Sequence, residues 1–202
     1  MKSIVGDIIL AASILNKDIE KPFFKTDEVI AFRGTRYPSD LFADVRCYKR
    51  KFQSGLMVHA GFLHRYEYIK KDLPFPPPKI ITGFSLGSAV ASLYAYECCM
   101  KNCPPSRVVL FAKPRVGNKI FASEFDRVAG KYTITLQNMN DPIINLPPRF
   151  MGYSDGDYYN MDFKTGALLE HELYGYVNAL TSNRSKWELL LWRELLIHRL
   201  KQ

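Results

Sequence analysis

The sequence predicts an α/β fold, a mostly parallel sheet with helices on both faces, and three observations carry that reading. β-Branched runs (TDEVIAFRGT at 26–35, KIITG at 79–83, RVVLFAK at 107–113 and YTITLQNMNDPI at 132–143) alternate with segments whose apolar residues recur at helical spacing. The chain has 202 residues, 47% of them hydrophobic, which suits one domain with a substantial core. No repeat or low-complexity tract breaks it, no window is apolar enough to span a bilayer, and PFPPP at 74–78 is a stiff lead into a strand rather than an interdomain linker.

The elements follow in order. In MKSIVGDIILAASILNKDIEK, Lys2 before an apolar run and the small Ala11, Ala12 and Ser13 have the look of a secretory leader. Asp7 interrupts the run, however, and Ile4, Ile8, Ala11 and Leu15 share one helical face, so the segment is read as a packed amphipathic helix. That reading places the protein inside the cell, cytoplasmic or peripheral to a membrane. TDEVIAFRGT is a strand stopping at Gly34. PSDLFADVRCYKRK reads as a short helix capped by Ser39, with Leu41, Phe42 and Val45 on its apolar side. SGLMVHAGF is extended, HRYEYIKKDL helical, KIITG a strand and SAVASLYAYECCM a helix. RVVLFAK is a strand, PRVGN a loop, and KIFASEFDRVAG a helix begun by Asn118 and ended by Gly130. YTITLQNMNDPI is a strand, GDYYNMDF a late strand or hairpin arm, and HELYGYVNAL the start of a helix; residues 183–202 form a C-terminal amphipathic helix within the same single domain.

Chemistry concentrates in ITGFSLGSAVASLYAYE, residues 81–97. A serine between two glycines, at a strand-to-helix turn, is the pattern G-x-S-x-G: Gly83 and Gly87 let the strand and helix backbones approach, and the Ser85 hydroxyl is held out on a strained turn. The helix N-terminus behind it favours developing negative charge. Such a nucleophile needs an imidazole base and a carboxylate to orient it. With this turn, the partners follow in chain order serine, acid, histidine. Of four histidines, His59 and His64 precede the serine and His198 lies among leucines in the last helix, which leaves His171. Asp141, ending a strand just before Pro142, is the chosen acid, with Asp155, Asp157 and Asp162 as competitors. SDGDYYNMD lacks the closing glutamate of a calcium loop, so no metal is expected. The oxyanion donors are read as the Leu86 N–H and Thr35, after Arg33-Gly34.

The formal charge of +8 makes acidic partners plausible. RCYKRK at 46–51 and the terminal segment carry much of it, but no nucleic-acid recognition motif accompanies them. A solvated basic face, with the C-terminal helix docked on its own domain, is the leading reading of each patch taken alone, and peripheral association with an anionic membrane is the alternative. Of four cysteines, Cys98, Cys99 and Cys103 lie on or just after one helix and Cys47 stands alone; this is a poor disulfide framework and lacks the spacing of a zinc site, and they are read as buried or semi-buried thiols.

AFRGT (31–35), VHAGF (58–62), ITGFSLGSAVASL (81–93), PRVGN (114–118), NDPIINLPP (140–148) and the histidine of LEHEL (169–173) occur in the order seen in class 3 lipases, the fungal-type α/β-hydrolases, which the chain resembles over about residues 25–180. The resemblance implies an α/β-hydrolase-type fold, a Ser85, Asp141, His171 triad, an oxyanion hole of Thr35 and Leu86, and no cofactor. It also implies that PSDLFADV, with Leu41, Phe42 and Val45, is a lid. Phe84 stands where the family commonly has histidine and Ser88 where it commonly has glycine; the first is expected to alter the pocket wall, the second to tighten helix packing. The expected activity is hydrolysis of carboxylic esters in acylglycerols or phospholipids, with lysophospholipid or monoacylglycerol as substrates suited to an intracellular enzyme. The alternatives are an esterase for small soluble esters and a non-catalytic lipid- or protein-binding relative. Oligomeric state is not legible.

Overall fold

The structure is a computed structural model describing residues 4–15, 21–34, 48–156, 160–163 and 171–182. Its centre is a sheet of β1 (Phe23–Lys25), β2 (Val29–Phe32), β5 (Ile80–Phe84), β6 (Arg107–Phe111), β7 (Thr133–Asn138) and β8 (Asn160–Phe163), in that spatial order. All neighbours from β2 to β8 run parallel, and β1 is an antiparallel edge beside β2. Each parallel strand is added next to its predecessor in the chain, so the carboxyl ends of β2, β5, β6 and β7 line up along one edge.

The sheet is covered on both sides because its strands are apolar on both. On β2, Val29 and Ala31 face one layer and Ile30 and Phe32 the other; on β6, Val109 and Phe111 oppose Val108 and Leu110. This double-sided pattern requires helices on each face. One layer holds α1 (Ile4–Leu15) and α5 (Leu173–Ser182). The other holds α2 (Ala60–Ile69), α3 (Leu86–Met100) and α4 (Lys119–Ala129), with α3 central. The packed N-terminal helix is present with a shifted face: Val5, Ile8, Ala11, Ala12, Ile14 and Leu15 are buried and Ile4 only partly so, because α1 lies against both the sheet and α5.

Several local readings are corrected. KRK, read as the end of a helix, is strand β3 (Lys49–Lys51), paired antiparallel with β4 (Met57–His59) in a separate two-stranded sheet. The extended reading of SGLMVHAGF ends at His59; α2 starts at Ala60 because the His59 Nδ1 accepts from the Gly61 and Phe62 N–H groups, a side-chain cap. GDYYNMDF contributes β8, parallel to β7 rather than a hairpin arm. Asn118 caps α4 as expected, its Oδ1 accepting from Phe121 N, but Gly130 keeps right-handed helical angles and the chain tightens into a 3₁₀ turn over Gly130–Tyr132. The expected helices containing Leu41, Phe42 and Val45 and spanning 183–202, like Thr35, His198 and Asp157, lie outside the described residues.

Candidate active site

Ser85 sits at the carboxyl end of β5 with φ 56° and ψ −124°, immediately before α3. The two glycines explain how the chain tolerates this turn: a Cβ on Gly83 would lie 2.3 Å from Gly87 O, and one on Gly87 would lie 2.1 Å from Phe32 O. Neither distance admits a carbon, so the helix start and strand end fit only with hydrogens there. Ser85 N donates to Phe111 O at 3.0 Å, fixing the turn to the neighbouring strand. Ser88 adds to this anchor: its buried hydroxyl is shared between the carbonyls of Gly83 and Phe111, at 2.6 Å each. The packing effect expected of Ser88 is thus a hydrogen bond across the turn.

Asp141 follows β7 and is 1% exposed. Its two oxygens divide their partners. Oδ1 accepts from Ile143 N at 2.9 Å, capping the 3₁₀ turn Pro142–Asn145, while Oδ2 lies 2.7 Å from His171 Nδ1 and accepts from the Tyr176 hydroxyl at 3.0 Å. His171 Nε2 lies 2.9 Å from Ser85 Oγ. Serine, histidine and aspartate therefore form an unbroken line along the sheet's carboxyl edge, reached from β5, β7 and the segment before α5. Such a line can move a proton from hydroxyl to imidazole while the carboxylate holds the other ring N–H and compensates the charge. Leu86 is the first residue of α3, where backbone N–H groups have no carbonyl partner within the helix.

Two aromatic residues complete the site. The Phe84 ring, expected to alter the pocket wall, stacks on His171, centroids 4.9 Å apart and planes 25° from parallel. Tyr176, fully buried on α5, packs edge-on against Phe84 and Phe111 and accepts from Asn138 N at 3.1 Å while donating to Asp141. Sequence reasoning missed Tyr176, since a tyrosine in an amphipathic helix carries no local sign of a carboxylate partner.

The competing residues have other partners. Asp155 receives Arg115 Nε at 2.7 Å and Arg149 Nη2 at 2.6 Å. The same Arg115 guanidinium bonds the carbonyls of Asn145 and Pro147, so it ties PRVGN to the segment after Asp141. His64 is exposed on α2, and Asp162 falls in β8. Among the described residues, no group of His, Cys, Asp and Glu is arranged to hold a metal ion, and no helix is long and apolar enough to cross a membrane.

Comparison with known proteins places this geometry in context. The family model for class 3 lipases matches residues 77–151. A secreted mono- and diacylglycerol lipase A from Penicillium cyclopium is 28% identical over 137 residues, covering 62% of this chain and 44% of the relative. A chloroplastic phospholipase A(1), DAD1, from Arabidopsis thaliana is 28% identical over 153 residues, covering 61% of this chain and 34% of the relative. The chain thus spans less than half the length of these relatives. The crystal structure of a lipase from Rhizopus microsporus var. chinensis superposes with a TM-score of 0.59 at 26% identity, over 71% of this chain and 56% of that one. The α/β-hydrolase-type fold expected from the sequence is therefore present. The intracellular reading is corrected: similar lipases from Penicillium, Malassezia globosa and Fusarium solani are named as secreted. A packed N-terminal helix is compatible with either compartment, so it carried no information on export.

Proposed function

From the match of residues 77–151 to the class 3 lipase family we propose that the protein is a serine carboxylic ester hydrolase acting on acylglycerols or phospholipids outside the cell. The observation that carries the reading is the hydrogen-bonded line from Ser85 Oγ through His171 to Asp141, at 2.9 and 2.7 Å. Ser85 Oγ attacks the ester carbonyl carbon as His171 Nε2 takes its proton. Asp141 keeps the Nδ1–H tautomer and stabilises the imidazolium. The tetrahedral oxyanion is met by the Leu86 N–H at the start of α3 and by Thr35. His171 then protonates the departing alcohol, and water releases the acyl group by the same steps in reverse. Relatives named for mono- and diacylglycerol and for phospholipid hydrolysis support the lipid ester class.

The site's surroundings favour a lipid surface as the place of action. Met139 follows β7, Phe150 lies in the turn Arg149–Met151, and Tyr174 is three residues beyond His171; they are 48%, 89% and 68% exposed. Large apolar side chains held in water, two of them within three residues of Asp141 or His171 in the chain, suit partial insertion between lipids. Of the basic residues expected to meet anionic lipid, Lys49 donates to Met151 O and Arg50 pairs with Glu67, so these two are engaged within the fold, while Lys51 is exposed.

The test is a chain-length series of esters with wild type and Ser85→Ala, with and without phospholipid vesicles. Turnover falling by roughly 10⁴-fold or more in the variant, and rising with vesicles in wild type, is the expected result. Equal turnover in both proteins would remove Ser85 as nucleophile.

A further inference from the structure

Helix α3 ends in a way that brings two cysteines together. Its last turn carries Cys98, Cys99 and Met100; Lys101 leaves the helix, and Asn102 turns the chain with φ 56°. Asn102 N then donates to Cys99 O and Cys103 N to Cys98 O, each at 3.0 Å. These paired bonds define a Schellman closure, in which the Cys98 and Cys103 positions are the pair whose side chains commonly meet at the reversal. Standard bond lengths on either side of the Cys103 N–Cys98 O bond keep the two Cα atoms within about 7 Å. Disulfides span about 4.4–6.8 Å between Cα atoms. Cys99 neighbours Cys98 in sequence but sits about 100° around the helix, away from the returning chain. Both Cys98 and Cys103 are in the thiol form here, Cys98 buried and Cys103 half-buried.

We infer that Cys98 and Cys103 are a disulfide site, oxidised by a low-molecular-weight disulfide to clasp the far end of the nucleophile's helix. In the first step the Cys103 thiolate, the more accessible sulfur, attacks one sulfur of the oxidant R–S–S–R and releases one thiolate. Cys98, losing its proton, then attacks the Cys103 sulfur and expels the second. Two cysteine thiols lose two protons and two electrons, and one oxidant disulfide becomes two RSH. Burial pushes the Cys98 thiol up to about 12, which makes its attack slow in the folded protein. Closure is therefore fastest during folding. The bond closes a ring over residues 98–103 and restricts the unfolded chain, with an expected rise in Tm of about 4–8 °C.

The experiment is to refold the full chain with glutathione disulfide or with dithiothreitol, digest with trypsin without reduction, and record the thermal melt. Lys101 lies between the cysteines, so trypsin separates the peptide ending there from the one running from Asn102 to Arg107 unless a disulfide joins them. Joined peptides in wild type and in Cys99→Ser, with Tm raised over the reduced protein, are expected. In Cys103→Ser, a half-buried loop position that leaves the core intact, both the joined peptide and the Tm difference should vanish. Separate peptides in oxidised wild type, a glutathione adduct on Cys103 alone, or joining that is lost in Cys99→Ser would each overturn the assignment.

Discussion

Phe84 does for His171 what a hydrogen bond cannot: it fixes the plane of the ring. The Asp141 oxygen sets one edge of the imidazole, yet rotation about that contact would still swing Nε2 away from Ser85. A ring stacked at 4.9 Å blocks that rotation. Stacked aromatic pairs contribute about 0.5–1.5 kcal/mol beyond their buried area. In the proposed mechanism Phe84→Ala should therefore lower kcat about 2- to 10-fold with little change in KM, whereas Phe84→His, which keeps a flat ring, should stay close to wild type. Steady-state kinetics on a soluble ester separates the two effects; an unaltered kcat in Phe84→Ala would show that Asp141 and packing alone orient the histidine. The identity of Phe84 was visible in the sequence, but its role was not. A residue one position before a nucleophile points away from it along the strand, and only the return of the chain at 171 supplies its partner.

At the scale of elements, α3 depends on one charged residue in an otherwise apolar face. Glu97 is buried, and its carboxylate accepts from the Tyr66 hydroxyl at 2.5 Å on α2, from Lys70 at 2.8 Å and from Lys101 at 2.9 Å. Burial pushes this carboxyl up, but the hydrogen bonds from Lys70, Tyr66 and Lys101 together hold it below the usual carboxylate value. A folded pKa below the unfolded one means the stabilisation is fully present above the ordinary carboxylate range and is lost as pH falls through the folded value. Both lysines are about half exposed and can return to water, whereas the Tyr66 hydroxyl cannot. Glu97→Leu should thus cost about 1–3 kcal/mol at pH 7, mainly for the stranded hydroxyl. The gap to wild type should narrow in acid. Urea unfolding over a pH series measures it, and a gap independent of pH would mean that packing, not charge, joins α2 to α3.

Across the whole molecule, the sequence encodes what each residue's own neighbours can signal. Double-sided apolar strands, the glycines of the elbow and the Asn118 cap were all legible because each is a local steric or hydrogen-bonding demand. The β1 edge, the β3–β4 pair, the Tyr176–Asp141 contact and the Arg115 junction were not, since each depends on chain segments that meet only after folding. Lys113 belongs with the second group: it follows β6 like any strand-end lysine in RVVLFAK, yet it is 4% exposed. Burial pushes its ammonium down to about 7, reinforced by Arg115 and opposed by Asp155. Between that value and its ordinary 10.5 the unfolded chain binds a proton that the folded chain does not, so stability rises with pH through this window. Below it the folded protein must hold the buried charge, and the cost is greatest. Lys113→Met, which keeps the length and removes the charge, should accordingly raise Tm, and by more at pH 6 than at pH 9.5. Melting both proteins at the two pH values decides the point. A gap that is constant, or larger at the higher pH, would mean that Asp155 holds Lys113 as a compensated ion pair and that its ammonium is no burden to the fold.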